Sequence, residues 1–396
     1  MQFFIRIVAA LTILAAIVFG ARVTSPDLTH NPASFEDQPF VMALAPVREA
    51  TTLAQYTSET GEVVTLLVTD YDGQTVSGID LFSLGAPRDE NPFVVLASVD
   101  LNSLELPASG IFETVKVPVQ DLMPSGPSGE RHIGIGTNFP EHAEESSSDG
   151  VFNFPKFGAA TPARTEVRAP EGSLLDYEVE LCLRFDRPIG SLEDFDAAVK
   201  GLFLCADFTD RIALVQLADA DNLDSGYGFS DAKSGEGYFP TGLLLVIPND
   251  LAAFVANTRM TTTLNNEPRQ DARGHEMTLD FRQLTQKVLA DMSAERFYYQ
   301  GDFYRLAPDS CIDADMTLMS GTSEGVIFTA PARHDYIDII LGYLMQGGHL
   351  GATDLDTFGK QRFIENELAG GHFLQPGDTV TYSASGLGDI VVAVTD

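Results

Sequence analysis

The segment Leu175–Phe185 constrains the fold most strongly, because its polar and apolar residues alternate almost completely. The polar side chains occupy its even positions, which are Asp176, Glu178, Glu180, Cys182 and Arg184. A period of two is typical of a β-strand, in which successive side chains point to opposite faces. The pattern therefore predicts a strand that carries Glu178 and Glu180 on the same face.

The rest of the chain combines short strands with a few helices. Turn signals such as Asp72-Gly73 separate β-branched runs from residue 40 to about residue 119. The chain lacks the regular alternation of strand and helix of a doubly wound sheet, so we expect an α+β, mainly β fold. The predicted strands include Glu62–Val68, Phe93–Ala97 and a closing strand that starts at Gly377 and ends in Ile390–Val394. The predicted helices are Leu192–Lys200, Phe281–Met292 and His334–Met345.

The N-terminus has the layout of an export signal. Arg6 precedes the apolar run Ile7–Phe19, which ends at the small residues Gly20 and Ala21. The run is shorter than the ~20 residues that span a bilayer, although its flanks could extend it into a retained membrane anchor. We therefore expect an exported protein, either periplasmic or anchored in the inner membrane, with residues 1–21 as the signal peptide or the anchor.

Changes in composition divide the remainder of the chain. Residues 22–39 are rich in Pro, Asp, Ser and Asn, and we predict an exposed linker there. Residues 40–122 are predicted as a small β-rich N-terminal domain. A stretch rich in Pro, Ser and Gly then leads into a second domain, residues 130–396.

The chain contains three cysteines, Cys182, Cys205 and Cys311, an odd number that cannot be fully paired within one chain. Cys182 and Cys205 stand inside apolar runs. We therefore expect these two to be small buried hydrophobic residues and not the basis of a disulfide framework.

The charge of the chain excludes one class of partner. The 57 Asp and Glu residues against 24 Lys and Arg residues give a formal net charge of −33, and such a field repels nucleic acid. Most of this acidity is interpreted as solvated surface. Only six of the basic residues are lysines, so the position of each lysine is informative.

Two carboxylates about 7 Å apart on one strand face, such as Glu178 and Glu180, repel each other unless water or a hard divalent cation lies between them. A solvent-exposed polar face is the alternative interpretation. Asp207 ends an apolar strand 27 residues after Glu180 and could supply a third ligand, or could cap a helix instead. Arg211 follows four residues later, where a turn of helix would direct it at the same pocket.

A second candidate group lies in the segment Gly136–Glu145. Pro140 suits the first position of a short helix, with Thr137 or Asn138 near its cap. His142 and Glu145 then lie on one face, where the carboxylate can orient the imidazole as a base for water. A surface pair without a catalytic role is the alternative.

Eight short segments follow one another in a recognisable order between His132 and Val394. They are Gly136–Glu145, Phe154–Lys156, Tyr177–Leu181, Asp207–Arg211, Ala232–Ser234 with Pro240, Asn265–Gln270, Ser320–Val326 and Leu374–Asp378. In this order they resemble the fumarylacetoacetate hydrolase family, whose motifs include Glu-x-Glu, Asp-x-Thr-x-Arg and Leu-x-Pro-Gly-Asp. The resemblance covers roughly two thirds of the chain.

The resemblance implies a catalytic domain of mixed β-sheets in a roll, one bound Mg²⁺ (or Mn²⁺ or Ca²⁺), a dyad that activates water, and a small anionic oxo acid as substrate. We also expect a homodimer. For Lys156, a stray surface charge is the alternative. The resemblance assigns His142, Glu145 and Lys233 to catalysis, Arg211, Lys156 and Thr322 to substrate binding, and Glu178, Glu180 and Asp207 to the metal.

The sequence departs from the family pattern in two ways that bear on the substrate. Apolar residues, Ile212 to Leu214, follow Arg211 where the family often has Asp and sometimes Gln. In addition, 47 residues separate Val326 from Leu374, a connection longer than is usual in the family. We interpret the insertion, at about residues 334–372, as a lid or an interface element.

Together these features predict a metal-dependent hydrolase that cleaves a carbon–carbon bond of a small dioxo acid of the fumarylacetoacetate or acylpyruvate type. A cation and Lys233 would stabilise the departing enolate, and water activated by His142 would attack the other carbonyl. A lyase, hydratase or isomerase of the same family is the first alternative. A non-catalytic exported binding protein on the same fold is the second.

Overall fold

The structure is a computed structural model that describes residues 28–100, 113–146, 148, 150–219, 221–348, 351 and 354–396. The predicted signal peptide or anchor, residues 1–21, lies outside this part of the chain. Within the described ranges, no helix combines the length and the apolar character that a membrane span needs.

Strands dominate the secondary structure, as the sequence predicts. The strands are β1 (Ala50–Thr57), β2 (Val63–Tyr71), β3 (Thr75–Asp80), β4 (Thr114–Pro118), β5 (Arg131–Gly136), β6 (Phe152–Phe157), β7 (Arg164–Arg168), β8 (Leu175–Asp176), β9 (Val179–Phe185), β10 (Lys200–Ala206), β11 (Thr209–Asp210), β12 (Leu245–Pro248), β13 (Arg259–Leu264), β14 (Glu267–Arg273), β15 (Phe297–Tyr299), β16 (Asp302–Tyr304), β17 (Leu318–Met319), β18 (Thr379–Ala384) and β19 (Gly388–Thr395).

The α-helices lie between these strands and are mostly short. They are α1 (Pro92–Ala97), α2 (Pro140–Glu145), α3 (Leu192–Ala197), α4 (Arg211–Leu217), α5 (Phe229–Lys233), α6 (Leu251–Asn257), α7 (Phe281–Asp291), α8 (Arg333–Met345) and α9 (Leu355–Gly370).

Two large sheets build the fold. The first has ten strands in the order β4-β3-β2-β1-β12-β10-β9-β17-β5-β6, and the second has five in the order β14-β13-β18-β19-β7. The strands β10 and β9 in the middle of the first sheet contact β18, β19 and β13 of the second, and the main hydrophobic core fills the space between them. This mixed, mainly β architecture confirms the predicted α+β class.

The N-terminal strands do not form a sheet of their own. β1 pairs antiparallel with β12 along Ala50 to Leu53, so β1–β4 extend the sheet that carries β9 and β10. A polar contact reinforces this junction, because the Tyr71 hydroxyl of β2 donates to Asp389 of β19. The region predicted as a small N-terminal domain, residues 40–122, is thus continuous in hydrogen bonding with the second domain.

The segment predicted as a linker is also tied down where it is described. Residues 28–39 are mostly exposed, but the Asn31 amide donates to the carbonyls of Val326 and Phe328 at 3.3 and 2.6 Å. The backbone N–H of Ser34 donates to the Glu324 side chain at 3.3 Å. These contacts hold the segment against the loop that follows β17.

Several predicted elements are confirmed, with at least one observed end within two residues of its predicted position. Among them are α7, α8, β2 and β19. One is wrong: Phe93–Ala97, predicted as a strand, lies in helix α1. Asn91 caps that helix through its side chain, and Pro92 occupies the first turn, where its fixed φ favours a helix. A run of five apolar residues does not distinguish a buried strand from a buried helix by itself.

The alternating segment forms two strands with a break at Tyr177 and Glu178. Every residue of β9 is buried. Both faces of this strand are therefore covered by protein, and its polar face does not reach solvent. The interpretation of a solvent-exposed polar face is therefore wrong. The carboxylates on this face must be compensated within the protein.

The expectation for two of the cysteines is also wrong. Cys182 of β9 and Cys205 of β10 form a disulfide, whereas Cys311 is free. In the register of these strands Cys182 faces Phe203 and Cys205 faces Glu180, so the bond crosses the ladder diagonally. It stands two residues from Glu180 on one strand and two residues from Asp207 on the other, within an apolar cluster that includes α1.

We expect the double substitution Cys182→Ser/Cys205→Ser to lower the free energy of unfolding by about 3 kcal/mol, because the bond closes a loop across a separation of 23 residues. Urea unfolding with and without reductant measures this difference. Cys311→Ser is the matched control and should leave stability unchanged. Equal midpoints for the double variant and the oxidised wild-type protein would contradict the assignment.

Candidate active site

Three buried carboxylates meet where β9 and β10 pair. Glu178, Glu180 and Asp207 each offer an oxygen, and these oxygens lie within 4.8 Å of one another. The backbone N–H of Asp207 donates to the carbonyl of Glu178 at 3.0 Å, which continues the ladder beyond the end of β10. The pairing of two strands thus brings together residues that are 27 positions apart in the sequence.

Glu180 is the least compensated member of this acidic cluster. One oxygen, Oε2, accepts from the N–H of Gly321 at 2.8 Å, whereas Oε1 is buried without a hydrogen-bond partner among the described residues. Burial and the nearby charges of Asp207 and Glu178 raise the pKa of Glu180 well above its usual range. A buried carboxylate oxygen with no donor, beside two other carboxylates, fits a hard divalent cation.

Lys233, at the end of α5, reaches into the cluster. Its Nζ donates to Glu178 at 2.7 Å, to Asp207 at 3.0 Å and to the Thr209 hydroxyl at 2.8 Å. Burial alone would lower the pKa of Lys233, but Asp207 and Glu178 outweigh it and raise the pKa. Conversely, burial would raise the pKa of Glu178, but Lys233 and Arg211 lower it to about 2.

Arg211 opens helix α4, whose N-cap is Asp210 and not Asp207. The Arg211 guanidinium donates to Glu178 at 3.0 Å and to Asp176 at 2.9 Å. Burial opposes its charge, but these two carboxylates raise its pKa. The helix therefore directs Arg211 at the acidic cluster, as the four-residue spacing after Asp207 predicts.

Asp176 is a functional residue that the sequence analysis missed. Its side chain is fully buried and accepts from the N–H groups of Ile327 and Phe328, both at 2.9 Å, besides binding Arg211. It therefore fixes both Arg211 and the loop beside the cluster. The available signal was its even position, two residues before Glu178 on the same alternating segment.

Lys156 lies behind the cluster and not along the cavity described below. It is fully buried, and its Nζ donates to Asp207 at 2.6 Å and to the carbonyls of Lys233 and Tyr238. A stray surface charge is thus excluded. These contacts place Lys156 where it holds Asp207, and its role in substrate binding stays a prediction.

The predicted dyad forms on helix α2. His142 Nδ1 lies 3.0 Å from Glu145 Oε2, and the other oxygen of Glu145 accepts from the N–H of Gly325 at 3.0 Å. Glu145 is therefore fixed between the histidine and the loop that Asp176 also holds. Pro140 occupies the first position of the helix, as predicted, and Asn138 lies next to the N-cap, which is Phe139 and has no side-chain bond.

The segment before α2 is strained and tightly held. Thr137 has φ = 56°, a left-handed conformation that is costly for a β-branched residue. Next to it, Asn138 is fully buried and donates to the carbonyls of Leu279 and Ser320 at 3.0 and 2.9 Å. Gly321 has φ = 79° and packs against Asn138, where a Cβ would lie 3.2 Å from the Asn138 side chain.

Thr322 lines the cavity, as expected of a substrate-binding residue, but its hydroxyl is already engaged. The Thr322 hydroxyl accepts from Gln270 Nε2 at 3.0 Å, and the side-chain oxygen of Gln270, Oε1, accepts from the N–H of Val179 at 3.2 Å. Gln270 thereby connects the strand of the acidic cluster to the loop opposite. The two asparagines of the preceding turn, Asn265 and Asn266, both have positive φ, which a tight hairpin of this kind requires.

A cavity of about 860 Å³ opens over these groups. Its polar end includes His142, Glu178, Arg211, Lys233 and Thr322. Its other walls are mainly apolar and include side chains of α4, α8 and α9. The predicted insertion, at about residues 334–372, thus forms the helical pair α8 and α9 over the site.

The model of the family described as fumarylacetoacetate (FAA) hydrolase C-terminal matches residues 131–395, about two thirds of the chain. The chain belongs to the fumarylacetoacetate hydrolase family. An uncharacterized protein of Staphylococcus epidermidis is 28% identical over 179 residues, which are 42% of this chain and 55% of that protein. The chain thus spans about half the length of the curated relatives it matches.

Solved structures of similar fold cover most of the chain. One is a 2-hydroxyhepta-2,4-diene-1,7-dioate isomerase from Mycobacterium marinum, with a TM-score of 0.50 and 15% identity over 87% of this chain and 98% of that one. Another is a 5-carboxymethyl-2-hydroxymuconate delta-isomerase from Mycobacterium smegmatis, with a TM-score of 0.50 and 15% identity over 87% and 99%. At this identity the likeness shows the fold alone.

The balance of charge also fits a cation in this family member. Four buried carboxyl groups, Asp176, Glu178, Glu180 and Asp207, face three basic groups, Lys156, Arg211 and Lys233. With all four carboxyl groups ionised, one negative charge is therefore left over in this buried cluster. A divalent cation would change the net charge of this cluster from negative to positive, and the site would then attract an anion.

We expect Glu180→Gln to raise the Kd for Mn²⁺ by more than ~100-fold, because changes outside the ligand shell alone cost about 10- to 100-fold. Without metal, the same variant should melt at a higher temperature than the wild-type protein, because it removes an uncompensated buried charge. Calorimetric titration and thermal unfolding measure the two effects.

The exposed Glu59 provides a matched control, since Glu59→Gln makes the same chemical change away from the cluster. It should alter neither Mn²⁺ affinity nor melting temperature. Unchanged affinity in Glu180→Gln would remove Glu180 from the metal site.

Metal affinity should also depend on pH. Because the pKa of Glu180 is raised, protons compete for this ligand above pH ~4.3, the usual value for Glu. We therefore expect the Kd for Mn²⁺ to increase as the pH falls from 8, while the pH is still above that usual value. A Kd that stayed constant down to pH ~4.3 would show that Glu180 titrates normally.

Proposed function

We propose that this protein is a metal-dependent hydrolase that cleaves the carbon–carbon bond of a 2,4-dioxo acid of the acylpyruvate type. The observation that carries the proposal is the sharing of one cavity by His142 and Glu178 of the acidic cluster. Lys233 and Arg211 line the same end of that cavity. A base, a metal site and two cations thus surround one space.

Glu178, Glu180 and Asp207 would hold a divalent cation, with Mg²⁺, Mn²⁺ and Ca²⁺ as the candidates. When bound, such an ion supplies positive charge that stabilises oxygen anions of the substrate. The remaining steps can be assigned to side chains of this chain.

His142 is suited to act as the general base. With Nδ1 donating to Glu145, the other ring nitrogen, Nε2, is the atom that can accept a proton from water. Glu145 stabilises the imidazolium that results, and its bond to Gly325 keeps the ring in one orientation. The dyad therefore acts as a single rigid unit.

The proposed reaction is hydrolysis of the bond between the acyl carbonyl carbon and the adjacent CH₂. His142 takes one proton from water, and the resulting hydroxide forms a bond to the acyl carbonyl carbon. The bond between that carbon and the adjacent CH₂ then breaks, and its electron pair becomes the enolate of pyruvate. The imidazolium returns its proton to the enolate carbon, so the products are a carboxylic acid and pyruvate.

Lys233 and Arg211 supply the fixed positive charge at this end of the cavity. Both remain protonated at neutral pH, because the neighbouring carboxylates raise their pKa values. Their charge favours the substrate carboxylate and the enolate that develops during the reaction. The site would serve isomerisation or decarboxylation through the same enolate, but neither of these reactions requires the base to activate water, as hydrolysis does.

We also propose that the protein is exported and acts outside the cytoplasm, as a dimer, with the N-terminus as signal or anchor. The Cys182–Cys205 disulfide supports export, because such bonds persist mainly in oxidising compartments. The sequence of residues 1–21 supports it independently.

We expect His142→Ala to lower kcat for acylpyruvate cleavage by about 10²- to 10⁴-fold, the usual contribution of a positioned general base. Metal affinity should change little, because His142 is not part of the acidic cluster. Loss of the absorbance of the 2,4-dioxo group, followed with and without Mn²⁺, measures turnover.

His275→Ala is the matched control, because His275 is exposed and bonds only a backbone carbonyl among its described contacts. Its kcat should equal that of the wild-type protein. If the wild-type protein with Mn²⁺ cleaves no acylpyruvate but isomerises or decarboxylates an oxo acid, hydrolysis is the wrong reaction for this site.

A further inference from the structure

The cavity over the acidic cluster is strongly divided. Its charged groups are concentrated at the strand end, and the Arg211 guanidinium lies 5.2 Å from the ring centroid of Phe328, where the apolar part begins. The Phe328 ring in turn contacts Phe363 of α9 at 6.0 Å. A ligand held at the polar end would therefore extend directly between apolar surfaces.

Three elements build the apolar part. Helix α4 contributes Leu214 and Val215, and its C-cap is Ala218. The inserted helices contribute Ile339 from α8 and Phe363 from α9. Leu214, Ile339 and Phe363 are buried in the protein core, so this wall is firmly packed. A cavity of about 860 Å³ is much larger than a three-carbon oxo acid needs.

Other apolar side chains along the cavity remain largely uncovered. Tyr336, Ile340 and Leu355 are exposed by 57%, 48% and 44%. Burying apolar surface of this kind is favourable, at about 25 cal/mol per Å². An apolar ligand that entered the cavity would cover part of it.

The far end of the cavity offers no free positive charge for a second carboxylate. Among the described lining residues, Lys360 is the cation outside the acidic cluster, and its Nζ lies 3.2 Å from Asp356. Asp356 also lines the cavity. The second carboxylate of a dicarboxylate would therefore lie beside the Lys360–Asp356 ion pair, whose charges cancel and which itself includes a carboxylate. The charge pattern disfavours a dioic acid.

We infer that the substrate is a monocarboxylic 2,4-dioxo acid with a long apolar acyl chain, bound between α4 and the pair α8 and α9. The inference rests on the proposed function, because the dioxo head group is assigned by the acidic cluster and the dyad. The helices α4, α8 and α9 set the length of the acyl chain that the cavity can hold. Hydrolysis then releases pyruvate and a medium- or long-chain fatty acid.

The first experiment compares kcat/KM for acetyl-, hexanoyl- and decanoylpyruvate with Mn²⁺ present. We expect a rise of about threefold for each added methylene until the cavity is filled. Ala218→Phe should reduce the ratio of kcat/KM for decanoylpyruvate to that for acetylpyruvate by more than tenfold. Gln216→Phe, which adds the same ring on the exposed side of α4, should leave that ratio unchanged.

Val215→Asp serves as a second variant should Ala218→Phe not fold, because it places a charge in the apolar wall and should reduce the same ratio. Cleavage of acetylpyruvate with no gain from longer chains would overturn the inference and leave the proposed function standing. Equal ratios in the wild-type protein and both cavity variants would also overturn it.

A binding experiment separates the two proposals if no acylpyruvate is cleaved. The probe is 2-oxododecanoate, which lacks the second oxo group, and its effect on the melting temperature with Mn²⁺ is compared with that of pyruvate. A larger shift in the wild-type protein than in Ala218→Phe would support the apolar site although hydrolysis had failed. Equal shifts from the two acids would overturn it.

Discussion

The structure depends on the compensation of negative charge buried at the end of two paired strands. Glu178, Glu180 and Asp207 cannot be ionised together in a protein interior without nearby cations. Lys156 and Lys233 bind different oxygens of Asp207. These contacts account for the burial of two of only six lysines in a strongly acidic chain.

The same compensation positions the groups around it. Asp176 binds Arg211 and two backbone N–H groups of the loop after β17, and Glu145 binds a third through Gly325. That loop therefore connects the acidic cluster with the dyad through fixed hydrogen bonds. The charged side chains stand on or next to strands and on the short helices α2, α4 and α5, whereas the inserted helices α8 and α9 shape the apolar space. That space can therefore vary without disturbing the charged centre.

The sequence predicted the chemistry of this centre better than its surroundings. Alternation along residues 175–185 was sufficient to place Glu178 and Glu180 on one face, and the spacing of His142 and Glu145 was sufficient for their contact. Burial of both faces of β9 could not be inferred, because it depends on the helix α1 and on strands distant in the sequence.

Other features were missed for reasons of register and packing. The Cys182–Cys205 bond requires knowledge of which residues of β9 and β10 face each other, and neither strand contains that information alone. The apolar cavity wall likewise arises only when α4 meets α8 and α9. Local patterns predict elements and faces, whereas pairing between elements decides disulfides and cavities.

The sheet that β1–β4 share with strands of the family match affects how the protein can be divided. A truncated chain that began near residue 130 would retain the acidic cluster, the dyad and all residues of the family match. It would also expose the whole edge of β12, where β1 now pairs, and leave Leu53 absent from the apolar cluster around the disulfide. An open edge of this kind pairs readily with other chains, so the shortened protein should aggregate although the acidic cluster and the dyad were complete.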